Sequence, residues 1–233
     1  MSQKTISADA GAGSPPSEGS GKGLKSDRAL ESRAMWRPET QSLTEAVATL
    51  LRESCARPGD FAARIRCGHE AISRAVVEGC DLDEMWRESD PDKRLPGGYR
   101  RHQVVTDERL GFTVVVLLWE PGSATPIHDH DTWCVFGLLD GELEVTNYGV
   151  VDDSGSGPLH LREVGREHLS AGIIGDNRLP ATEVHRVRNT GTRRAISLHV
   201  YGADLTQRTL FGGRGIVVDG KDGCRAFGNA PAY

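Results

Sequence analysis

From Tyr99 onward the chain consists of short apolar runs rich in β-branched residues, each closed by turn residues, and this texture restricts the fold more than any other feature. The runs lie at Phe112 to Trp119, Thr132 to Leu139, Glu142 to Tyr148, His185 to Arg188 and Ala195 to Tyr201. The breaks are Pro121-Gly122, Asp140-Gly141, Asp152 to Pro158, Gly172 to Pro180 and Thr190-Gly191. Regularly spaced short strands with such turns predict an all-β sandwich or barrel. Asp140-Gly141 between two apolar runs predicts a hairpin.

The segment before the strands reads differently. Leu43, Ala46, Val47, Leu50 and Leu51 recur at spacings of three and four, the period of a helix face. Pro58-Gly59 breaks that pattern, a second amphipathic stretch runs from Phe61 through Val77, and a short helix starts at Asp81 or Asp83. Residues 1 to 40 are rich in Gly, Ser, Ala and charge, a composition that buries too little apolar surface to offset chain entropy. The expected organisation is a disordered tail over 1–40, a helical segment over 41–95 packing on the barrel, and a barrel over 96–233.

Charge and cysteine content narrow the function. A net charge of −5 leaves no footprint for nucleic acid or an anionic membrane, although one local arginine can still bind a small anion. No stretch is long and apolar enough to span a bilayer, and the N-terminus lacks the apolar core of a secretory signal, so a cytoplasmic address is expected. The expected partners are small molecules, with the chain a monomer or small homo-oligomer. The five cysteines are odd in number, widely spaced and without a CxxC pair, which argues against disulfides or a zinc knuckle. Cys55, Cys67 and Cys80 read as small buried or half-buried residues of the helical segment.

The chemistry concentrates in Gly122-Ser-Ala-Thr-Pro-Ile-His128-Asp-His130 and in Glu183-Val-His185-Arg-Val-Arg-Asn189. On a strand, residues i and i+2 share a face, so His128 and His130 aim two imidazoles at one point. A later strand crossing that point adds His185. Three neutral imidazoles on one side of a metal leave positions open for substrate and oxygen, which marks a catalytic rather than a structural site. The other histidines are weaker candidates: His69 reads as a surface or helix-packing residue, His102 has the opposite parity to Arg101, and His160 and His168 lie near polar turns. Glu142 and Glu144 read as solvated, Arg186 as pointing outward, and Trp119 and Trp133 as core or rim.

Gly122, His128, His130 and Gly141 fall in step with the first motif of the cupin superfamily, and Pro180, His185 and Asn189 with the second. The acidic position of the first motif holds Cys134, and Thr182 replaces a glycine of the second. The resemblance implies a cupin-type β-barrel, a jelly roll, with the metal held by His128, His130 and His185. With the acid gone, the three neutral ligands leave iron(II) its full double positive charge, which favours anionic ligands and above all a thiolate.

Thr125-Pro-Ile-His128-Asp-His130 with Thr132-Trp-Cys134, then His185-Arg-Val, then Ser197-Leu-His199-Val-Tyr201, together resemble the cysteine dioxygenase family of thiol dioxygenases. Alternation puts Ser197, His199 and Tyr201 on one strand face. The resemblance implies that His199 orients the Tyr201 hydroxyl toward the iron. It also implies that Arg101, two residues after Tyr99, grips a substrate carboxylate, for which a guanidinium offers two parallel bonds. Arg100 faces the other way as a surface or sheet-exterior residue. In animal-type members the cysteine at the Cys134 position is joined covalently to the tyrosine; here one residue fewer separates it from the histidine pair, and an ordinary buried cysteine is the alternative.

The activity implied is oxidation of the L-cysteine thiol by dioxygen to cysteine sulfinate at Fe(2+). Another small thiol, such as 3-mercaptopropionate or mercaptosuccinate, or a specialised cysteine oxidase with a different product, stands as an alternative. A non-catalytic cupin that senses a metal or effector is the non-enzyme alternative.

Overall fold

The computed structural model describes residues 42–54, 61–78, 81–90, 92, 94–95, 97–152, 157–177, 184–203, 214–219 and 225–227. The expected tail, the Pro58-Gly59 break, Pro180, Thr182, Cys55, Cys80 and Cys224 lie outside these residues.

Among the described residues three helices come first: α1 (Leu43–Ser54), α2 (Phe61–Glu78) and α3 (Leu82–Glu88). Ser42 Oγ accepts the Glu45 amide at the start of α1, and Asp81 accepts the Glu84 amide at the start of α3. Both bonds satisfy amide donors that a helix start leaves without partners. Leu43, Val47 and Leu51 form one buried stripe of α1, packed with Ile65 and Ile72 of α2.

The described residues then form ten strands: β1 (Arg100–Asp107), β2 (Phe112–Trp119), β3 (Cys134–Asp140), β4 (Glu142–Asp152), β5 (Leu159–Ser170), β6 (Ile174–Asn177), β7 (Val184–Arg188), β8 (Ala195–Tyr201), β9 (Ile216–Asp219) and β10 (Arg225–Phe227). They form two five-stranded sheets, in the orders β1-β2-β8-β3-β6 and β10-β9-β5-β4-β7. All neighbours pair antiparallel except β5 and β9. This is the mainly β, cupin-type jelly roll with N-terminal helices that the sequence implied.

Period-two alternation gives the first sheet two different faces. Val114, Val116 and Leu118 of β2, with Ile196, Leu198 and Val200 of β8, merge with α1 and α2 in one aliphatic core. Val115, Leu117 and Trp119, with Ser197, His199 and Tyr201, point the other way into a cavity of about 290 Å³. Leu143, Val145 and Leu169 of the second sheet line its opposite wall.

Several expectations are corrected. Asp140-Gly141 is a tight turn but not a hairpin, since β3 pairs with β8 and β6 whereas β4 pairs with β5 and β7. Gly141 carries the chain from one sheet to the other at φ +79, and a Cβ there would lie 2.6 Å from the Arg194 carbonyl oxygen. The break expected over Gly172 to Pro180 contains β6. That strand is four residues long, and Gly175 lets the Phe136 ring lie where a Cβ would be, 2.6 Å away. Arg100 is sheet-exterior but buried at 4 % exposure. Its guanidinium lies 4.8 Å from the centre of the Trp86 ring of α3 and 3.3 Å from Glu120. Glu144 has a side chain only 14 % exposed and lies 3.7 Å from both Arg166 and His168. His69 does pack a helix on the sheet, bonding Asp176 of β6 at 2.6 Å.

Candidate metal centre

The His128-Asp-His130 segment is not a continuous strand. Pro126 has no amide hydrogen for a ladder, and the segment meets β7 through isolated bridges at Ala124 with Arg188 and His128 with His185. The second bridge is reciprocal, with each amide donating to the other residue's carbonyl at 2.9 Å. The Thr125 amide donates to the Val187 carbonyl, and the Val187 amide to Thr125 Oγ1, both at 2.9 Å. These bonds fix His128 beside His185, while His130 precedes a turn at Asp131 with φ 46.

The three imidazoles converge. Their candidate ligand atoms lie within 4.8 Å of one another, and they form the group among the described residues suited to a metal. Ring centres are 4.5 Å apart for His128 and His185, 4.8 Å for His130 and His185 and 5.0 Å for His128 and His130. His128 Nδ1 lies 3.0 Å from the Pro126 carbonyl oxygen, which only accepts, so Nδ1 carries the hydrogen and Nε2 keeps its lone pair. That Nε2 faces His130 Nε2 at 3.2 Å.

Burial pushes all three imidazoles below the usual histidine value, His130 and His185 well below it. Mutual repulsion adds to the shift of His130 and His185. Neutral rings with converging ligand atoms, one of them with its N–H anchored on a backbone carbonyl, are a donor set suited to a divalent metal. Among the described residues no carboxylate joins the group.

A hydrogen-bonded chain runs beside the histidines. The Trp119 indole N–H donates to Ser197 Oγ at 2.9 Å, Ser197 Oγ lies 2.8 Å from His199 Nε2, and His199 Nδ1 lies 3.4 Å from the Tyr201 hydroxyl. Burial pushes His199 down to about 3, so its neutral ring has one donor and one acceptor nitrogen. Because the indole only donates, a chain running from Trp119 through Ser197 and His199 to the Tyr201 oxygen uses each group consistently. The Tyr201 ring sits 5.1 Å from that of His130. Trp119, read from sequence as core or rim, thus extends the Ser197-His199-Tyr201 series; the signal was its shared parity with Val115 and Leu117 on a strand facing the cavity.

Cys134 and Tyr201 stand directly opposite in the β3–β8 register, and Cys134 Sγ lies 3.9 Å from His199 Nδ1. Tyr99 and Arg101 both line the cavity. Tyr99 is buried and stacks on Trp119 with ring centres 5.0 Å apart. Burial raises the Tyr99 phenol above its ordinary value, and the Arg101 charge opposes that shift. All nine sequence candidates therefore surround one cavity, which also receives Asn147 and Glu167. Those two were not anticipated, because their approach depends on how β4 and β5 pair.

Comparison with known proteins agrees with this geometry. The cysteine dioxygenase type I family profile matches residues 92–214, more than half of the chain. Cysteine dioxygenase type 1 of Rattus norvegicus is 31% identical over 106 residues, covering 44% of this chain and 51% of the rat protein. The Homo sapiens protein of that name is 29% identical over 155 residues, covering 62% of this chain and 75% of the human protein. The matched region thus spans about half the length of the rat relative. Among solved structures, the Schizosaccharomyces pombe Cnp3 cupin domain aligns with a TM-score of 0.35 and 15% identity over 50% of this chain and 68% of that one. On the family profile, carried by the region that holds the three histidines and the Ser197-His199-Tyr201 series, the chain belongs to the cysteine dioxygenase type I family.

Proposed function

We propose that this protein is an iron(II)-dependent thiol dioxygenase that converts L-cysteine and dioxygen to cysteine sulfinate. The observation that carries the reading is the convergence of three neutral imidazoles in the same cavity as Arg101 and Tyr201. Family membership and the cysteine dioxygenase relatives support it.

His128, His130 and His185 would hold the iron, whose chemistry is to bind a thiolate and activate dioxygen. The chain's own groups do the rest. Arg101 receives the substrate carboxylate, fixing pose as well as affinity through two parallel charged bonds. Tyr201 accepts from His199 and so directs its own hydrogen toward the reacting groups, while Trp119 and Ser197 hold that direction. The apolar walls from Leu117, Leu143 and Leu169 limit water around the site and strengthen its polar contacts. Both oxygen atoms of dioxygen end on sulfur, and the thiol supplies the electrons, so no further reductant is consumed.

The test is oxygen uptake by iron-loaded protein with a panel of thiols. L-cysteine should be consumed with matching uptake of dioxygen. Arg101→Gln should weaken cysteine use by about 2–4 kcal/mol, the scale for breaking a buried charged pair. Cysteamine, which lacks the carboxylate, should be a poor substrate for the parent. Equal turnover of cysteine and cysteamine, together with an inert Arg101 change, would remove Arg101 from the proposal.

A further inference from the structure

The stretch that carries Arg101 is gripped from both faces of its sheet. Tyr99 and Arg101 line the cavity, and Tyr99 stacks there on Trp119 with ring centres 5.0 Å apart. Arg100, between them, lies on the helix side, where its guanidinium sits over the Trp86 ring of α3 at 4.8 Å. Arg194, just before β8, sits over the same ring at 4.5 Å. Glu120, just after β2, joins the two cations: one carboxylate oxygen lies 3.3 Å from Arg100 and the other 3.5 Å from Arg194. Arg100 also donates to the Ser89 carbonyl at the end of α3, at 3.5 Å. None of Trp86, Arg100, Glu120 and Arg194 lines the cavity.

Register explains why these four residues meet. Arg100 stands opposite Leu118 of β2, and Leu118 opposite Ile196 of β8. Leu118 and Ile196 belong to the helix-side core. Glu120 and Arg194 lie two residues from them, which alternation keeps on that side. The stretch needs such support. Among the described residues β1 ends its sheet and pairs on one side only, with β2. Gly97 and Gly98 lead into it at φ 100 and 87, and its pairing slips between His102 and Val104. A bulge bends its strand and interrupts the ladder, so the ladder alone holds Arg101 between two irregular points. A positioning group displaced by about 1 Å can cost about 100-fold in rate.

We propose that Trp86, with Arg100, Glu120 and Arg194, is a positioning clamp that sets how Arg101 reaches into the cavity. The clamp touches no substrate and acts through Arg101. The inference rests on the reading that Arg101 receives the substrate carboxylate, and it traces that grip to a cluster on the far face of the sheet.

The experiment is a double-mutant cycle on iron-loaded protein with L-cysteine: parent, Trp86→Leu, Arg101→Gln and the pair, with kcat and KM taken per folded, iron-loaded molecule. Trp86→Leu should raise KM about three- to tenfold, the scale of losing a partly desolvated cation–π contact. It should leave kcat within about twofold, as expected when binding rather than chemistry is weakened. Trp86→Phe should recover most of the loss, because a phenyl ring still offers a face to a guanidinium. In the Arg101→Gln background Trp86→Leu should add less than about twofold, since residues acting through one group are not additive. Arg100→Met keeps the buried stem and removes the charge; it should repeat the Trp86→Leu pattern, and it carries the test if Trp86→Leu does not fold. Effects that multiply in the cycle, an unchanged KM, or a loss confined to kcat would overturn the clamp and leave the Arg101 reading in place. If Arg101→Gln itself leaves cysteine use unchanged, the carboxylate reading falls and the clamp with it.

Discussion

The β1-β2-β8-β3-β6 sheet does opposite work on its two faces, and β8 shows the contrast within seven residues. Ile196, Leu198 and Val200 are fully buried against the aliphatic core shared with α1 and α2. Ser197, His199 and Tyr201, alternating with them, enter the cavity and form a polar chain. The helix-side face is apolar and filled. The cavity face keeps about 290 Å³ empty and holds buried imidazoles that burial keeps neutral. Stability should reside mainly in the first face and chemistry in the second, so that substitutions on one leave the other largely intact.

The largest expected effect tests the cavity face. His128→Ala, His130→Ala or His185→Ala should each remove most bound iron and cut turnover by more than about 100-fold, beyond the scale for losing an outer-shell partner of a ligand. Metal analysis and oxygen uptake measure both. Metal-free melting temperatures should stay near that of the metal-free parent, since neutral rings give up no ion pair. Near-normal iron in all three variants would sink the assignment.

Leu198→Ala is the mirror experiment, one residue from His199 on the same strand. Truncating this fully buried side chain should cost about 2–5 kcal/mol of stability. Denaturant melts give the cost, and turnover per folded, iron-loaded molecule should change little. A large loss of turnover with unchanged stability would show that the two faces are not separable.

Cys134 and Tyr201 test a smaller refinement of the cavity face. Their direct opposition across β3 and β8 suits a covalent link formed by oxidation during turnover. Such a link would hold the phenol ring in place and reduce the entropy cost of aiming its hydroxyl. Mass spectrometry of turned-over protein should then find a species lighter by two hydrogens, absent from Cys134→Ala and Tyr201→Phe. Cys134→Ala should keep partial activity, and Tyr201→Phe should lose more because it deletes the hydroxyl. Full recovery of unlinked peptides would reject the link and leave the metal centre standing.

The smallest effect lies at the margin of the helix-side face. Arg52 of α1 donates to Asp107 of β1 at 2.9 Å. That bond, and the Leu110 amide after it, hold the Asp107 carboxyl below its ordinary value of 3.8. A depressed carboxyl stabilises the fold above its unfolded value, and the contribution is lost as pH falls through the folded value. Asp107→Asn should therefore cost under about 1 kcal/mol near neutrality, because the pair is partly solvated. The gap to the parent should close in strong acid. A gap independent of pH would mean that packing rather than charge holds α1 at this point.

Legibility in the sequence follows the same division. Phe112–Trp119 and Ala195–Tyr201 were legible to their end residues because β-branched runs of seven or eight residues, closed by turn residues, have one reading. β6 was not, since Ile174-Gly-Asp-Asn has one large apolar residue and packs Gly175 against the Phe136 ring of a distant strand. Asp140-Gly141 announced a turn, but local sequence does not say which sheet the next strand joins. The site was legible where parity suffices, as for Ser197, His199 and Tyr201. Arg101 and Cys134 were legible through family resemblance, and the cavity receives both. Arg100 was legible as sheet-exterior but its burial was not, because only the tertiary fold brings Trp86 over it. Asn147 and Glu167 depend on a bulge and a register that no local pattern encodes.

The central claim is that the three-histidine cavity oxidises a thiol with both atoms of one dioxygen molecule. Iron-loaded protein should be given L-cysteine under isotopically labelled dioxygen and the product's mass measured. The account predicts cysteine sulfinate carrying two labelled oxygens, formed by the parent and absent with His185→Ala. Label from one oxygen only, or an unchanged product mass from fully iron-loaded protein, would contradict it.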